Sequence, residues 1–113
     1  MAELLRHPRL RLTEYGYRKL CRLIDERDGD CCRICGSHTG LQHHHVVFRS
    51  AGGDDREDNL ILLCWRCHEI YAHGKRLKAF RDMFKEYLDS DPVKAWRKTH
   101  KDKLEAIYKE RRK

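Results

Sequence analysis

Two Cys-x-x-Cys pairs, Cys32-Arg33-Ile34-Cys35 and Cys64-Trp65-Arg66-Cys67, restrict the fold of this chain more tightly than any other feature. Each pair can present two thiolates from one tight turn, and four thiolates complete a tetrahedral Zn²⁺ shell with no open position. A structural zinc on Cys32, Cys35, Cys64 and Cys67 is therefore the first expectation. It suits a chain of 113 residues with 40% hydrophobic and 38% charged residues, whose core is thin enough to need a staple. Disulfides are the competing use of cysteine. No hydrophobic signal segment precedes the domain and no apolar run approaches a membrane span, so a reducing cytoplasm and thiolate chemistry are expected. Cys21 falls at helical spacing from Tyr17 and Ile24 and reads as a small buried residue. Cys31 beside Cys32 leaves a register ambiguity, and Cys32 is favoured because it makes the two spacings match.

The net charge of +7 is concentrated at one end. Residues 1–74 hold 11 Lys/Arg against 11 Asp/Glu, whereas residues 75–113 hold 14 against 7. A basic segment beside a metal site suits a polyanion, and a nucleic-acid backbone is the common one.

The chain reads as one domain in three parts, without repeats or low-complexity linkers. Residues 1–27 are a basic arm, ordering on a partner over residues 1–12, and a helix. Thr13 caps that helix, Tyr17, Leu20, Cys21 and Ile24 make its apolar face, and Asp28-Gly29 ends it. Residues 28–74 contain both cysteine pairs, a β-prone run from Leu41 to Phe48, a Ser50–Asp55 loop, a short buried strand Leu60–Leu63, and a helix from Trp65 that carries His68. Residues 75–113 form a basic extension of two helices. Leu77, Phe80, Phe84, Tyr87 and Leu88 line the first; Pro92 opens the second, with Val93, Trp96, Leu104, Ile107 and Tyr108 on one face. Lys78, Arg81, Lys85, Arg97, Lys98, Lys101 and Lys103 occupy the opposite faces and suit phosphate contact. The fold class is α+β.

Histidines supply the chemistry. His43, His44 and His45 follow one another on the first strand, and His68 comes directly after a cysteine knuckle. A zinc that ties those elements together brings their imidazoles to one place, where some can hold a divalent ion and one can remain a base.

Together, Cys32-x-x-Cys35, His44-His45-Val46-Val47, Gly52-Gly53, Asp58-Asn59-Leu60 and Leu63-Cys64-x-x-Cys67-His68 resemble the HNH endonucleases, the ββα-metal or His-Me finger enzymes, over about residues 28–74. The resemblance implies a ββα-metal core stapled by the four-cysteine zinc site, flanked by an N-terminal helix and two C-terminal basic helices. It implies His45 as general base, His44 and His68 as ligands of a catalytic divalent ion, and Asn59 as the residue that fixes the loop and helps position the base. His73 is a third ligand or a phosphate contact. Arg49, Arg66, Lys75, Arg76, Arg97 and Lys98 are expected to bind DNA.

In a regular strand His44 and His45 point to opposite faces. Either the strand ends or bulges there, or His43 takes part; His44 and His45 are retained. With two histidines and no carboxylate, the site is expected to accept Mn²⁺, Co²⁺ or Ni²⁺ readily and to work less well with Mg²⁺.

The reading is a metal-dependent DNA endonuclease of low sequence specificity, nicking or cutting both strands and leaving a 5′-phosphate and a 3′-hydroxyl. The alternatives are a catalytically silent, zinc-stabilised DNA-binding protein and a protein-docking module. Compact proteins of this kind resemble phage and prophage nucleases that work beside DNA-packaging proteins, and also restriction and homing nucleases; the small size favours packaging or mobile-element work over stand-alone restriction. A monomer or weak dimer is expected, with no membrane association.

Overall fold

The computed structural model describes residues 10–71 and 77–112; His73, Lys75, Arg76 and the arm before Leu10 lie outside the described residues. The described chain runs α1 (Glu14–Asp28), β1 (Leu41–His45), two 3₁₀ turns (Arg49–Ala51 and Glu57–Asn59), β2 (Leu60–Cys64), α2 (Trp65–Tyr71), α3 (Leu77–Leu88), α4 (Asp91–Thr99) and α5 (Lys101–Tyr108). The fold class is α+β, with a small two-stranded sheet among helices.

Local signals place α1 where the sequence asks for it. The Thr13 hydroxyl accepts from the Gly16 amide at 3.2 Å, which satisfies one of the donors that a helix start leaves unpaired. Gly29 ends the helix in the left-handed region at φ 75°, where a side chain would be strained. Leu20, Leu23 and Ile24 form its buried face.

β1 and β2 are antiparallel, with His43 opposite Leu62, His44 opposite Ile61 and His45 opposite Leu60. Every residue of β2 is buried because helices cover both faces of the sheet. Alternation divides its side chains between two cores. Ile61 and Leu63 join Cys32, Val46, Cys67, Phe84 and Leu88 on the cysteine side, as does Cys64 at the strand's end, where alternation no longer holds. Leu60 joins Leu10, Leu12, Leu20, Leu23, Ile24, Leu104 and Ile107 on the other. Each such aliphatic side chain contributes about 1.5–3 kcal/mol on burial, so the strand is the beam to which both halves are fixed.

A buried polar hub joins the halves. Asp28, with no exposure, accepts from the Leu62 amide at 2.9 Å, from Arg27 Nε at 2.8 Å and from the Tyr87 hydroxyl at 2.5 Å. Arg27 also donates to the carbonyls of Glu57 and Leu60. A buried ion pair tolerates its desolvation only when its remaining donors and acceptors are filled, as they are here.

Two expectations change. Leu10 and Leu12 are buried, and their segment is wedged between the Gly52–Asp55 loop and the chain's far end. Thr13 donates to the Glu110 carbonyl and Arg112 to the Arg11 carbonyl, both at 2.7 Å. These last arm residues therefore order on the chain itself. The helix opened by Pro92 is also divided: His100, at φ −101° and ψ 13°, leaves helical geometry, and its ring stacks on Trp96 with centroids 4.7 Å apart. Three helices thus follow residue 76 rather than two. Among the described residues no helix is long and apolar enough to cross a membrane.

Candidate functional site

The cysteine cluster forms as expected. The Sγ atoms of Cys32, Cys35, Cys64 and Cys67 all lie within 4.8 Å of one another, with Cys35 and Cys64 at 3.6 Å. Thiolates about 2.3 Å from a tetrahedral Zn²⁺ stand about 3.8 Å apart, so this group fits the ion. The Ile34 amide points at the Cys32 sulfur (3.4 Å) and the Cys67 amide at the Cys64 sulfur (3.5 Å), as a knuckle that stabilises thiolates requires. Burial opposes ionisation of Cys32, but backbone amides outweigh it and lower its pKa to about 6. Burial and the neighbouring sulfurs push the Cys67 thiol far up. Four packed sulfurs sharing protons this unevenly are a set that a cation relieves. Cys31 lies outside this group and approaches the Asp28 carbonyl at 3.5 Å, whereas Cys32 is the member of the pair that joins the cluster. Cys21 is half-buried rather than buried, against Tyr17.

The histidines distribute over both faces of β1, as strand alternation dictates. His44 is buried at 3% exposure and turns toward α2, where its Nδ1 lies 3.1 Å from His68 Nε2. Two imidazole nitrogens about 2.1 Å from one ion, at right angles to each other, are about 3 Å apart, so this pair has the spacing of two ligands of one cation. Phe48 and Phe84 wall the pair, each with its ring centroid 5.9 Å from that of His44.

His45 turns the other way, at the strand's end, and its Nε2 lies 2.9 Å from Asp55 Oδ1. Tyr17 of α1 stacks on the His45 ring at 6.0 Å and 8°, and the Arg49 guanidinium lies 5.0 Å from the Tyr17 ring centroid. Burial lowers the His45 pKa and the Arg49 charge adds to this, while Asp55 opposes them. Burial works against ionisation of Asp55, but the Leu12 amide, His45 and Arg49 together hold its carboxyl below the usual range. The result near pH 7 is a neutral imidazole beside a carboxylate. Facing a carboxylate, Nε2 carries the hydrogen and donates it to Asp55, which leaves the lone pair on Nδ1.

Although they face apart, His44, His45 and His68 open into one cleft together with His43, Phe48, Arg49 and Ser50, because β1 ends there. The strand is regular through His45, and His43 is paired with Asp25 at 2.7 Å.

Asn59 closes the loop behind His45. Its Oδ1 accepts from the Val47 amide (2.8 Å), and its Nδ2 donates to the carbonyls of Val47 (3.1 Å) and Asp54 (3.0 Å). Gly53 passes so close beneath that a Cβ there would stand 1.8 Å from the Val47 carbonyl oxygen.

The basic residues named from sequence are scattered. Arg49 lines the cleft and is tied to Asp55 at 3.0 Å. Arg66 is exposed on α2, its guanidinium 6.0 Å from the Trp65 ring centroid. Arg97 is held by Glu57 at 3.0 Å and by the Leu88 carbonyl, and Lys98 is exposed on α4.

Residues 32–74 match the model of the HNH endonuclease family. That segment is similar to the HNH endonucleases. The chain is also 33% identical over 61 residues to the type IV methyl-directed restriction enzyme EcoKMcrA of Escherichia coli (strain K12). That match covers 46% of this chain and 22% of the enzyme, so the chain spans a small part of that relative's length. No solved structure matches the chain.

Several residues that support the matched segment's histidines and their loop carry no site role in the sequence reading. Asp54-Asp55 reads as loop by composition, yet Asp55 is fully buried and holds His45. Tyr17 and Arg11 lie before the matched segment. Arg11 donates to the Gly53 and Arg49 carbonyls, and Leu10 and Leu12 present their amides to Asp54 and Asp55. The one available signal is the pair of carboxylates directly after Gly52-Gly53.

Proposed function

We propose that this protein is a metal-dependent endonuclease that hydrolyses DNA phosphodiester bonds with His45 as general base. The observation that carries the reading is the convergence on one cleft of a neutral, carboxylate-tethered imidazole and a two-imidazole cation site. A base and a cation are what in-line attack of water on a phosphodiester needs.

His45 Nδ1 takes the proton of the attacking water, while Asp55 fixes the ring and its tautomer and stabilises the imidazolium that forms. His44 and His68 hold a divalent ion, which when bound stabilises the charge developing on the phosphate and the 3′ leaving oxygen. Asn59 keeps the loop between Val47 and Asp54 closed, so Asp55 stays within reach of the base. The four-cysteine group holds a structural Zn²⁺ that fixes α2, and with it His68, against the sheet. His73 remains a third ligand or phosphate contact, and Arg66, Lys75, Arg76, Arg97 and Lys98 DNA contacts, within a basic helical extension of the nuclease core.

Nitrogen ligands without a carboxylate favour Mn²⁺, Co²⁺ or Ni²⁺ over Mg²⁺. The restriction enzyme that shares the segment favours DNA as substrate. A work setting beside packaging proteins and a cytoplasmic location are part of the same reading. One site per monomer nicks one strand.

Incubation of zinc-loaded protein with supercoiled plasmid and Mn²⁺, Ni²⁺, Mg²⁺ or no added divalent ion tests the proposal. Open-circular product that depends on the added ion, with Mn²⁺ or Ni²⁺ ahead of Mg²⁺, supports it. Folded protein that leaves the plasmid intact with every ion refutes it and leaves DNA binding as the role.

A further inference from the structure

The arginines around the cleft are mostly committed. Arg27 is spent on Asp28 and two carbonyls, Arg97 on Glu57, Arg11 on the Gly53 and Arg49 carbonyls, and Arg49 on Asp55. Arg81 differs. It stands on α3, outside the matched HNH segment, and its Nε is buried with no acceptor among the described residues. A buried N–H donor without an acceptor is costly, while Arg81 as a whole is only half-buried, so its side chain still reaches solvent.

Its position gives the missing acceptor a chemistry. The Arg81 guanidinium carbon lies 5.9 Å from the Phe48 ring centroid, and Phe48 in turn packs edge-on against His44. Contrary to the opposite-face expectation, Arg81 shares a face of α3 with Phe84, three residues on, which packs against His44 as well. One helix face thus sets an apolar wall on the two-histidine site and a cation immediately beyond it. Phe48, which separates Arg81 from His44, also lines the cleft.

We propose that Arg81 is a phosphate-binding residue, whose guanidinium takes a backbone phosphate of the nucleic-acid strand that lies across the His44–His68 end of the cleft. The inference deepens the nuclease reading and rests on it. A guanidinium fork matches the oxygens of a phosphodiester, and a phosphate supplies the acceptor that the chain does not. The apolar Phe48 and Phe84 limit hydration around the contact and strengthen it.

The test is made in a His45→Ala background, so that DNA stays uncut while Mn²⁺ is present. His45→Ala and His45→Ala/Arg81→Met proteins are titrated with a fluorescent duplex at several salt concentrations. Methionine keeps the unbranched apolar stem over Phe48 while removing the charge; should that variant lose its fold, Arg81→Gln gives the same readouts. Loss of one phosphate contact flattens the slope of log K against log salt by about one, with weaker binding at every salt concentration. In the otherwise wild-type protein, Arg81→Met is expected to slow single-turnover nicking by about 10- to 100-fold, with Arg81→Lys recovering part of the loss. An unchanged slope together with an unchanged affinity overturns the proposal. A flattened slope in a protein that never nicks plasmid keeps Arg81 as a phosphate contact and rejects the nuclease reading instead.

Discussion

His45 Nε2 and Asp55 Oδ1 meet at 2.9 Å from positions ten residues apart, and this contact fixes the imidazole at the end of β1. The carboxylate is supported from outside the HNH segment: the Leu12 amide donates to Asp55 Oδ2 at 3.0 Å, and Asp55 donates its own amide to the Leu10 carbonyl at 3.0 Å. Residues on both sides of residue 32 thus specify one imidazole's orientation.

Asp55→Asn keeps the shape of that contact and removes its charge. An amide can present its N–H to Nε2 and reverse the tautomer, so Nδ1 loses its lone pair. Single-turnover cleavage is expected to fall by about 10²-fold or more, with DNA affinity and zinc content unchanged. A variant that cuts at the wild-type rate shows that Asp55 does not position the base.

The acidity of His45 predicts the pH profile. Burial favours the neutral ring, so its pKa lies below the ordinary imidazole value of about 6.5. The base therefore stays competent until the pH falls below that value, and the acid limb of the cleavage rate has its midpoint under about pH 6.5. Because the folded state resists protonation more than the unfolded chain does, acidification through this range also removes stability. An acid limb centred above pH 6.5 contradicts this picture.

Zinc removal is expected to unfold the HNH segment. The cysteine-side core is built around the sulfurs, and α2 reaches the sheet through Cys64 and Cys67. Metal affinity in such sites is folding free energy. Cys64→Ser, or treatment with a strong chelator, should abolish the cooperative melting transition and release one zinc per chain, measured by a colorimetric zinc dye alongside circular dichroism. Retention of the transition after zinc loss rules out a structural role for the ion.

The loop that carries Asp55 leaves no room at Gly53. With a Cβ only 1.8 Å from the Val47 carbonyl oxygen, Gly53→Ala must push Val47 and Asn59 apart. A loss of about 2 kcal/mol or more is expected, together with slower cleavage, whereas Gly52→Ala meets no atom within 4 Å and is disfavoured mainly by its positive φ. Equal stability for Gly53→Ala and wild type in urea melts contradicts the close approach.

Much of this was legible because the informative signals are local. Cysteine spacing gives the metal cluster, Thr13 and Gly29 give α1, and strand alternation explains why His44 and His45 part company. What escaped depends on long-range contacts. Asp55 acquires its role from Leu12 and His45, Tyr17 from its stack on His45, and Arg11 from carbonyls some forty residues away; none of these leaves a periodic trace. The break at His100 escaped because Val93, Trp96, Leu104 and Ile107 keep an apolar face through it, so hydrophobic patterning alone reads one helix.

The most direct measurement is single-turnover nicking of supercoiled plasmid by wild-type and His45→Ala proteins in Mn²⁺, with zinc content and DNA affinity determined on the same samples. Ion-dependent nicking by the wild type, reduced by about 10³-fold or more in a variant that still binds zinc and DNA, is the result expected for a general base at His45. Equal nicking by both proteins would contradict the account at its centre.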